Sequence, residues 1–407
     1  MRSYGLAVHI ASSFNSKAKL WVNGRKDWRN QLSESLNGIE NPIWFHAASV
    51  GEFEQGRPII EKLKTEYPDI PIVLSFFSPS GYEMNKDYRH ADLVCYLPLD
   101  SPSNARDFIS ILKPQFAVFV RYEFWFYFLR ELNNRNIPTY LISAVFRPDQ
   151  HFFKGYGKWF RKPLSWYQTI FVQDERSKDL LASIAINQVK VSGDSRIDRV
   201  LQIVEADESF SKIEKFKGSS RVLIVGSSWD KEDEFILQLL KEDILPLNWK
   251  VIIAPHEISE SKIENLQASI SLETVRYSEL DEEGFNARVL IADGYGYLSR
   301  IYKYADIGLI GGGFKDGIHS TLEPAAFGMP LYFGPHNKSF VEAQLLQDAG
   351  IAKEVNTYQD FAADILKYLS DLEELDRVKM ECRNYIRSLP RATSVIYPEL
   401  KNRITSL

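Results

Sequence analysis

Residues 311–335 read GGGFKDGIHSTLEPAAFGMPLYFGP. The stretch follows a short apolar run at 305–310, the length of a buried strand. It breaks into glycines, resumes as a helix over 322–328 and re-enters a strand at 330–333. A strand, a glycine loop and a helix N-terminus together present backbone N–H groups and a positive dipole end to an anion. Glu323 opens the helix, and a carboxylate there suits a pair of sugar hydroxyls, not a phosphate. The stretch predicts a nucleotide held by its phosphate on Gly312 and Gly313 and by its ribose on Glu323. The plainer reading is a tight turn that needs glycine for backbone reasons alone.

Size and composition are those of a globular chain rather than a disordered or fibrous one. A chain of 407 residues fits two domains of ordinary size, and 44% hydrophobic with 25% charged residues is a globular balance. The net charge of -5 argues against nucleic acid as the main partner. Cys95 and Cys382 stand in separate halves without metal spacing, as expected of reduced thiols. No window reaches the ~18 apolar residues that span a bilayer. Residues 1–30 nevertheless carry Arg2, Lys17, Lys19, Arg25, Lys26 and Arg29 against one acid, Asp27, with Leu6, Ile10, Phe14, Leu20 and Trp21 interleaved. Such a segment either lies on an anionic membrane surface or is an ordinary surface arm.

In the first half, PIWFHA at 42–47 is a strand candidate ending in the small-residue turn ASVGE at 48–52, and 58–67 reads as a helix with Pro58 early. Glu52 therefore falls at the C-terminal edge of a strand, where open α/β sheets place their ligands and where an ionised carboxylate takes a proton from a hydroxyl. The alternative role for Glu52 is a complement to a helix dipole. The apolar run 115–120 leads into Glu123 on the same sheet edge, where it serves either as a second acid or as a structural partner of Arg121. Segment 146–166 mixes Arg147, Lys154, Lys158, Arg161 and Lys162 with Phe152, Phe153, Tyr156, Trp159, Phe160 and Trp166, which suits a lipid phosphate or a packed helix with a solvated face. Repeated strand–helix units predict a doubly wound parallel sheet over 1–206, with a polar linker at 207–220.

The second half repeats the logic over 221–388. A strand at 221–225 ends in Gly226, Ser227 and Ser228, a second phosphate seat, and His256 and Gly296 follow other strands. A long helix is expected over 358–386, and 389–407 is long enough to cross back and brace the first domain. No GxxxxGK[ST], HExxH or CxxC pattern occurs, so P-loop phosphoryl transfer and zinc hydrolysis lose their usual sequence support.

The two halves together resemble the 3-deoxy-D-manno-octulosonic acid (Kdo) transferases of lipopolysaccharide assembly, inverting glycosyltransferases of the GT-B type, over nearly the whole chain. WFHAASVGE at 44–52 is similar to the family's signature, with Glu52 at the position of its general base. RYEFW at 121–125 resembles its ETELW segment, with Glu123 matching the second functional acid. VSGDSRID at 191–198 is similar to VTGNLKFD, and VGSSWDKED at 225–233 to VGSTHEGEE. The opening stretch resembles GGSFVPIGGHNPLEPAAFGKP, with FGPHNKSF behind it. The resemblance implies two Rossmann-like domains facing across a cleft, a CMP-Kdo donor, a lipid A precursor as acceptor, and no metal or cofactor. It also implies a peripheral place on the cytoplasmic face of the bacterial inner membrane. Donor contacts fall on Ser227, Ser228, His256, Gly296, Gly312, Gly313, His319, Glu323 and Asn337, and acceptor contacts on Ser49, Gly51, Arg147 and Lys154. A UDP-sugar transferase or UDP-sugar 2-epimerase on the same fold is the alternative.

Departures from the family pattern are local. APHE at 254–257 lacks the arginine of PRHPER, GYGY at 294–297 lacks the acid of the MGEL turn, and Arg121 replaces the first acid of ETELW. The long apolar N-terminal anchor of the family is also missing here.

Overall fold

Short runs of apolar and β-branched residues, each bounded by a helix cap, become the strands of two parallel sheets. In the computed structural model, which describes residues 8–405, the first sheet comprises β1 (Ile43–Ala47), β2 (Ile72–Phe76), β3 (Leu93–Tyr96), β4 (Phe116–Val120), β5 (Thr139–Ala144), β6 (Thr169–Val172) and β7 (Val189–Val191). Its order is β3-β2-β1-β4-β5-β6-β7, parallel throughout. The central strands are buried on both faces, so they read as unbroken apolar runs. Alternation along β1 sends Trp44 to a core shared with Phe108, Phe119 and Phe128, and Phe45 to one shared with Phe53, Phe76 and Phe116.

The second sheet comprises β8 (Arg221–Ser228), β9 (Trp249–Pro255), β10 (Thr274–Arg276), β11 (Val289–Ile291), β12 (Ile307–Ile310), β13 (Leu331–Phe333) and β14 (Ala352–Glu354). Its order is β10-β11-β9-β8-β12-β13-β14, again parallel. In the first sheet the chain runs outward from β1 to β3 and then crosses to the other side; in the second it goes from β8 through β9 to the edge strand β10, steps back to β11 and then crosses. The crossing points are β1/β4 and β8/β12. At such points the loops after neighbouring strands diverge and leave a crevice for a ligand.

The chain divides into two units, Met1–Arg199 with Pro390–Leu407, and Val200–Leu389. The helix Ala392–Thr405 packs on the first: Ile396 and Leu400 are fully buried against the β1 face. Burying each is worth about 2 kcal/mol. Asp198 caps this helix, accepting the N–H of Ala392 at 2.8 Å and of Thr393 at 3.2 Å. No helix among the described residues is long and apolar enough to cross a membrane. Arg2 and Leu6 of the basic arm lie outside the described residues.

Several local expectations need correction. The helix after β1 starts at Val50, not near Pro58, and runs to Glu66, so Pro58 lies in its interior and Glu52 in its first turn. The supposed linker holds a helix, Ser211–Lys217, with Ile213 and Phe216 fully buried. Two apolar residues one turn apart suffice to dock it, too few to stand out in a charged stretch. Lys217 ties it to Asp306 at 3.1 Å, where Arg221 at 2.9 Å and Lys379 also converge. Burial raises the Asp306 pKa, but Lys217 and Lys379 outweigh it and bring it down to about 2. Because the folded value is depressed, this contribution to stability is complete above the ordinary carboxylate range and is lost as pH falls toward 2. The expected 358–386 helix is two helices, Tyr358–Ser370 and Leu372–Ser388, broken where the Asp371 side chain caps Glu374 N–H at 2.9 Å. Segment 146–166 is a chain of short turns rather than one helix.

Candidate active site

At the β1/β4 crossing, Ser49 is the N-cap of the 17-residue helix Val50–Glu66 and Glu52 lies in its first turn. The Ser49 hydroxyl donates to Glu52 Oε2 instead of capping a backbone N–H. Glu52 is half-buried and Gly51 is exposed, so the carboxylate is aimed by the serine yet open to a ligand. It lies beside the positive end of the helix dipole. A fixed, accessible carboxylate is what a general base requires.

Glu123, expected as a second open acid, is only 3% exposed. Its partner is not Arg121. Trp125 Nε1–H donates to Glu123 Oε2, and His46 Nε2 stands 3.2 Å from the same oxygen. His46, fully buried, meets Ser75 Oγ at 2.9 Å through Nδ1, and Trp44 Nε1–H donates to that Oγ at 2.8 Å. Tyr167 donates to the Glu123 backbone carbonyl. A buried network Trp44–Ser75–His46–Glu123–Trp125 thus welds β1, β2 and the turn after β4 together. It holds the turns that carry Ser49 and Arg121. His46, Ser75 and Tyr167 were absent from the sequence-based site; His46 sits inside the WFHAASVGE motif, which was the available signal.

The acceptor candidates beyond this turn are scattered. Arg147 is exposed and stands 3.7 Å from Asp149, while Lys154 is half-buried on the turn before Gly155. Neither is brought to Glu52 by any contact in the structure.

In the second unit the β8/β12 crossing joins two loops. Gly311 N–H donates to Gly226 O at 2.8 Å, and a Cβ on Gly311 would stand 1.9 Å from Ser227 O. Gly312 has φ 90° and packs on Gly317 O. The glycines are thus required by backbone-on-backbone packing, which the tight-turn reading anticipated. The fully buried Glu232, missed in the sequence, accepts the Trp229 N–H at 3.1 Å. Burial raises its pKa, while the N–H groups of Trp229 and Gly312 oppose the rise. The Gly312 amide is therefore turned toward a carboxylate.

Ser320 donates to Glu323 Oε2 in the first turn of the short helix Leu322–Ala326. Glu323 is half-buried near Tyr302, whose pKa is raised by burial and then by Glu323. Beside them the rings of Trp229, His256 and His319 form a stack, with centroids 4.4 and 4.5 Å apart. Lys315 Nζ caps the Trp229 face at 3.5 Å. Burial, then His256, lowers the pKa of His319, so it is neutral at pH 7. Ser228 Oγ is buried without a partner, while Ser227 takes φ 53°. Two expected donor contacts stand apart. Asn337 is 2% exposed and its amide is spent on Gly334 O at 3.0 Å, Glu354 at 2.8 Å and Gln347 at 3.3 Å. Gly296 is exposed on a turn with open space around it. Among the described residues, no group of three or more His, Cys, Asp or Glu side chains is placed to hold a metal ion.

The family model described as 3-Deoxy-D-manno-octulosonic-acid transferase (kdotransferase) matches residues 23–199, the span that contains both Glu52 and Glu123. A 3-deoxy-D-manno-octulosonic acid transferase of Haemophilus influenzae is 29% identical over 332 residues, covering 78% of this chain and 76% of its own. That of Aquifex aeolicus is 26% identical over 348 residues, covering 84% and 90%. Over these spans the chain is similar to the Kdo transferases. These matches make it a glycosyltransferase, and its two parallel sheets have the GT-B fold. The UDP-GlcNAc 2-epimerase of Neisseria meningitidis bound to UDP-GlcNAc shares that fold, with TM-score 0.64, 15% identity and coverage of 88% and 100%.

The ring stack lies beside the 254–257 stretch, which lacks the arginine of the Kdo transferase pattern. Trp229, which was not expected as a site residue, lays a flat face against His256, and Lys315 stands over the Trp229 ring.

Proposed function

We propose that the protein transfers Kdo from CMP-Kdo to a lipid A precursor with inversion and release of CMP. It works as a peripheral protein on the cytoplasmic face of the inner membrane. The observation that carries this reading is the Ser49–Glu52 pair, an aimed and accessible carboxylate at the β1/β4 crossing inside the family-matched span.

The acceptor glucosamine hydroxyl binds at the N-terminal unit, where Glu52 removes its proton as the oxygen attacks the anomeric carbon. The bond from that carbon to the CMP phosphate oxygen breaks on the opposite face, and CMP leaves with the electron pair. On the second unit Glu323 accepts the ribose hydroxyls, and His256, His319 and Lys315 face the phosphate. Ser227 and the glycine turn shape its seat. Glu123 acts through His46 and Trp125, holding the β1 and β4 turns in register. Exposed Ile10 and Phe14 beside Lys17 and Lys19 suit contact with an anionic lipid surface.

The test is mass spectrometry of a tetra-acylated lipid A precursor incubated with purified protein and CMP-Kdo generated in place. A mass gain of one or more Kdo units with CMP release is expected, absent with Glu52→Gln. No gain from folded wild-type protein overturns the reading.

A further inference from the structure

Arg121 directly follows β4 at the crossing that also carries the Ser49–Glu52 turn, and no step above uses it. Its φ is 75°, in the left-handed region that disfavours every side chain and that glycine occupies freely. Its backbone N–H donates to Ile142 O at 2.8 Å, which holds the residue in place. The side chain is half-buried, and its Nε is shut off from solvent with no acceptor. The guanidinium carbon lies 5.1 Å from the Tyr122 ring centroid. No carboxylate among the described residues pairs with it. Comparable arginines of the same unit are engaged: Arg57 by Glu54 and Glu61, Arg199 by Glu54.

A half-buried cation without a counter-ion costs desolvation, and a left-handed side chain costs strain. Glycine at this position removes both costs, yet the chain keeps arginine, at a place where the ETELW motif carries an acid. A bound anion offsets the first cost, because the guanidinium fork matches two oxygens of a carboxylate or phosphate.

We propose that Arg121 is an oxyanion-binding residue of the transferase site and a determinant of substrate choice. Naming the substrates rests on the proposed function. Two groups there carry the required chemistry: the carboxylate of the transferred sugar acid and a phosphate ester on the glucosamine acceptor.

The experiment is steady-state kinetics of full-length Arg121→Gly and Arg121→Lys, with the donor and with acceptors bearing or lacking phosphate. For Arg121→Gly we expect KM to rise about 10-fold or more for one substrate, with a smaller change in kcat. Its melting temperature should equal or exceed wild type, because glycine relieves the strain. Arg121→Lys, which keeps the charge and loses the fork, falls between. A KM increase that disappears with the dephosphorylated acceptor assigns the phosphate; an increase confined to the donor assigns the carboxylate. Unchanged KM values for both substrates overturn the proposal. If wild-type protein transfers nothing, the functional reading fails by itself, and inorganic phosphate becomes the probe. Phosphate raising the melting temperature of wild type but not of Arg121→Gly supports the site, and equal shifts refute it.

Discussion

Two serine–glutamate pairs of identical spacing, Ser49 with Glu52 and Ser320 with Glu323, occur one in each unit, and in both the hydroxyl donates to the carboxylate. Their settings differ. Glu52 rides on a 17-residue helix directly after a central strand, with a buried histidine–glutamate network under the neighbouring turn. Glu323 rides on a five-residue helix behind a glycine turn, next to Tyr302 and near the stack of Trp229, His256 and His319. The same local device therefore takes different work from its surroundings. A carboxylate on a long, rigid element at an open edge suits proton transfer. One flanked by flat rings and a lysine suits holding a nucleoside.

The sharpest way to break this contrast is to neutralise each acid. Glu52→Gln should lower kcat by about 10³-fold, within the range for loss of a general base, and leave CMP affinity unchanged. Steady-state rates together with calorimetric CMP binding check both halves of that statement. Glu323→Gln should instead weaken CMP binding by about 10- to 100-fold, the range for a lost hydrogen bond to a charged group, with a lesser effect on kcat at saturating donor. Equal losses of kcat in the two variants would erase the distinction.

Removing only the serines should give smaller effects of the same sign. Ser49→Ala is expected to cost about 10-fold or less in kcat, and Ser320→Ala a similar or smaller factor in CMP affinity, since each removes one neutral donor from a carboxylate. The smallest effect concerns pH. The depressed pKa of His319 leaves it neutral at pH 7. Acidification below its ordinary range near 6.5 should charge it beside the phosphate and tighten CMP binding a few-fold. His319→Ala should flatten that pH dependence, measured by titration between pH 5 and 7.5.

The places of the two serine-paired acids in the fold were legible before any coordinates. The ASVGE turn after an apolar run located Glu52, and LEPAA after a glycine loop located Glu323, because both signals are carried by neighbours in sequence. Glu123 was located but its setting was not. Its burial depends on His46 from β1, Trp125 from its own turn and Ser75 from β2. The setting of Asn337 was hidden for a similar reason, since Glu354 and Gln347, from later segments, engage its amide. Trp229 was passed over because nothing local distinguishes a stacked tryptophan from a core one.

Local pattern therefore settles the alternation of strand and helix, the parallel character of both sheets and the turns that carry the acids. Backbone propensity and hydrophobic period act over a few residues, and those features need nothing longer. Strand order, and with it the two crossing points, is decided by tertiary structure. So is the fate of each polar side chain: Glu52 open, Glu123 enclosed, Arg121 unpaired. Whether a charge is buried, paired or left for a ligand depends on which distant segments close over it, and that is a property of the assembled fold.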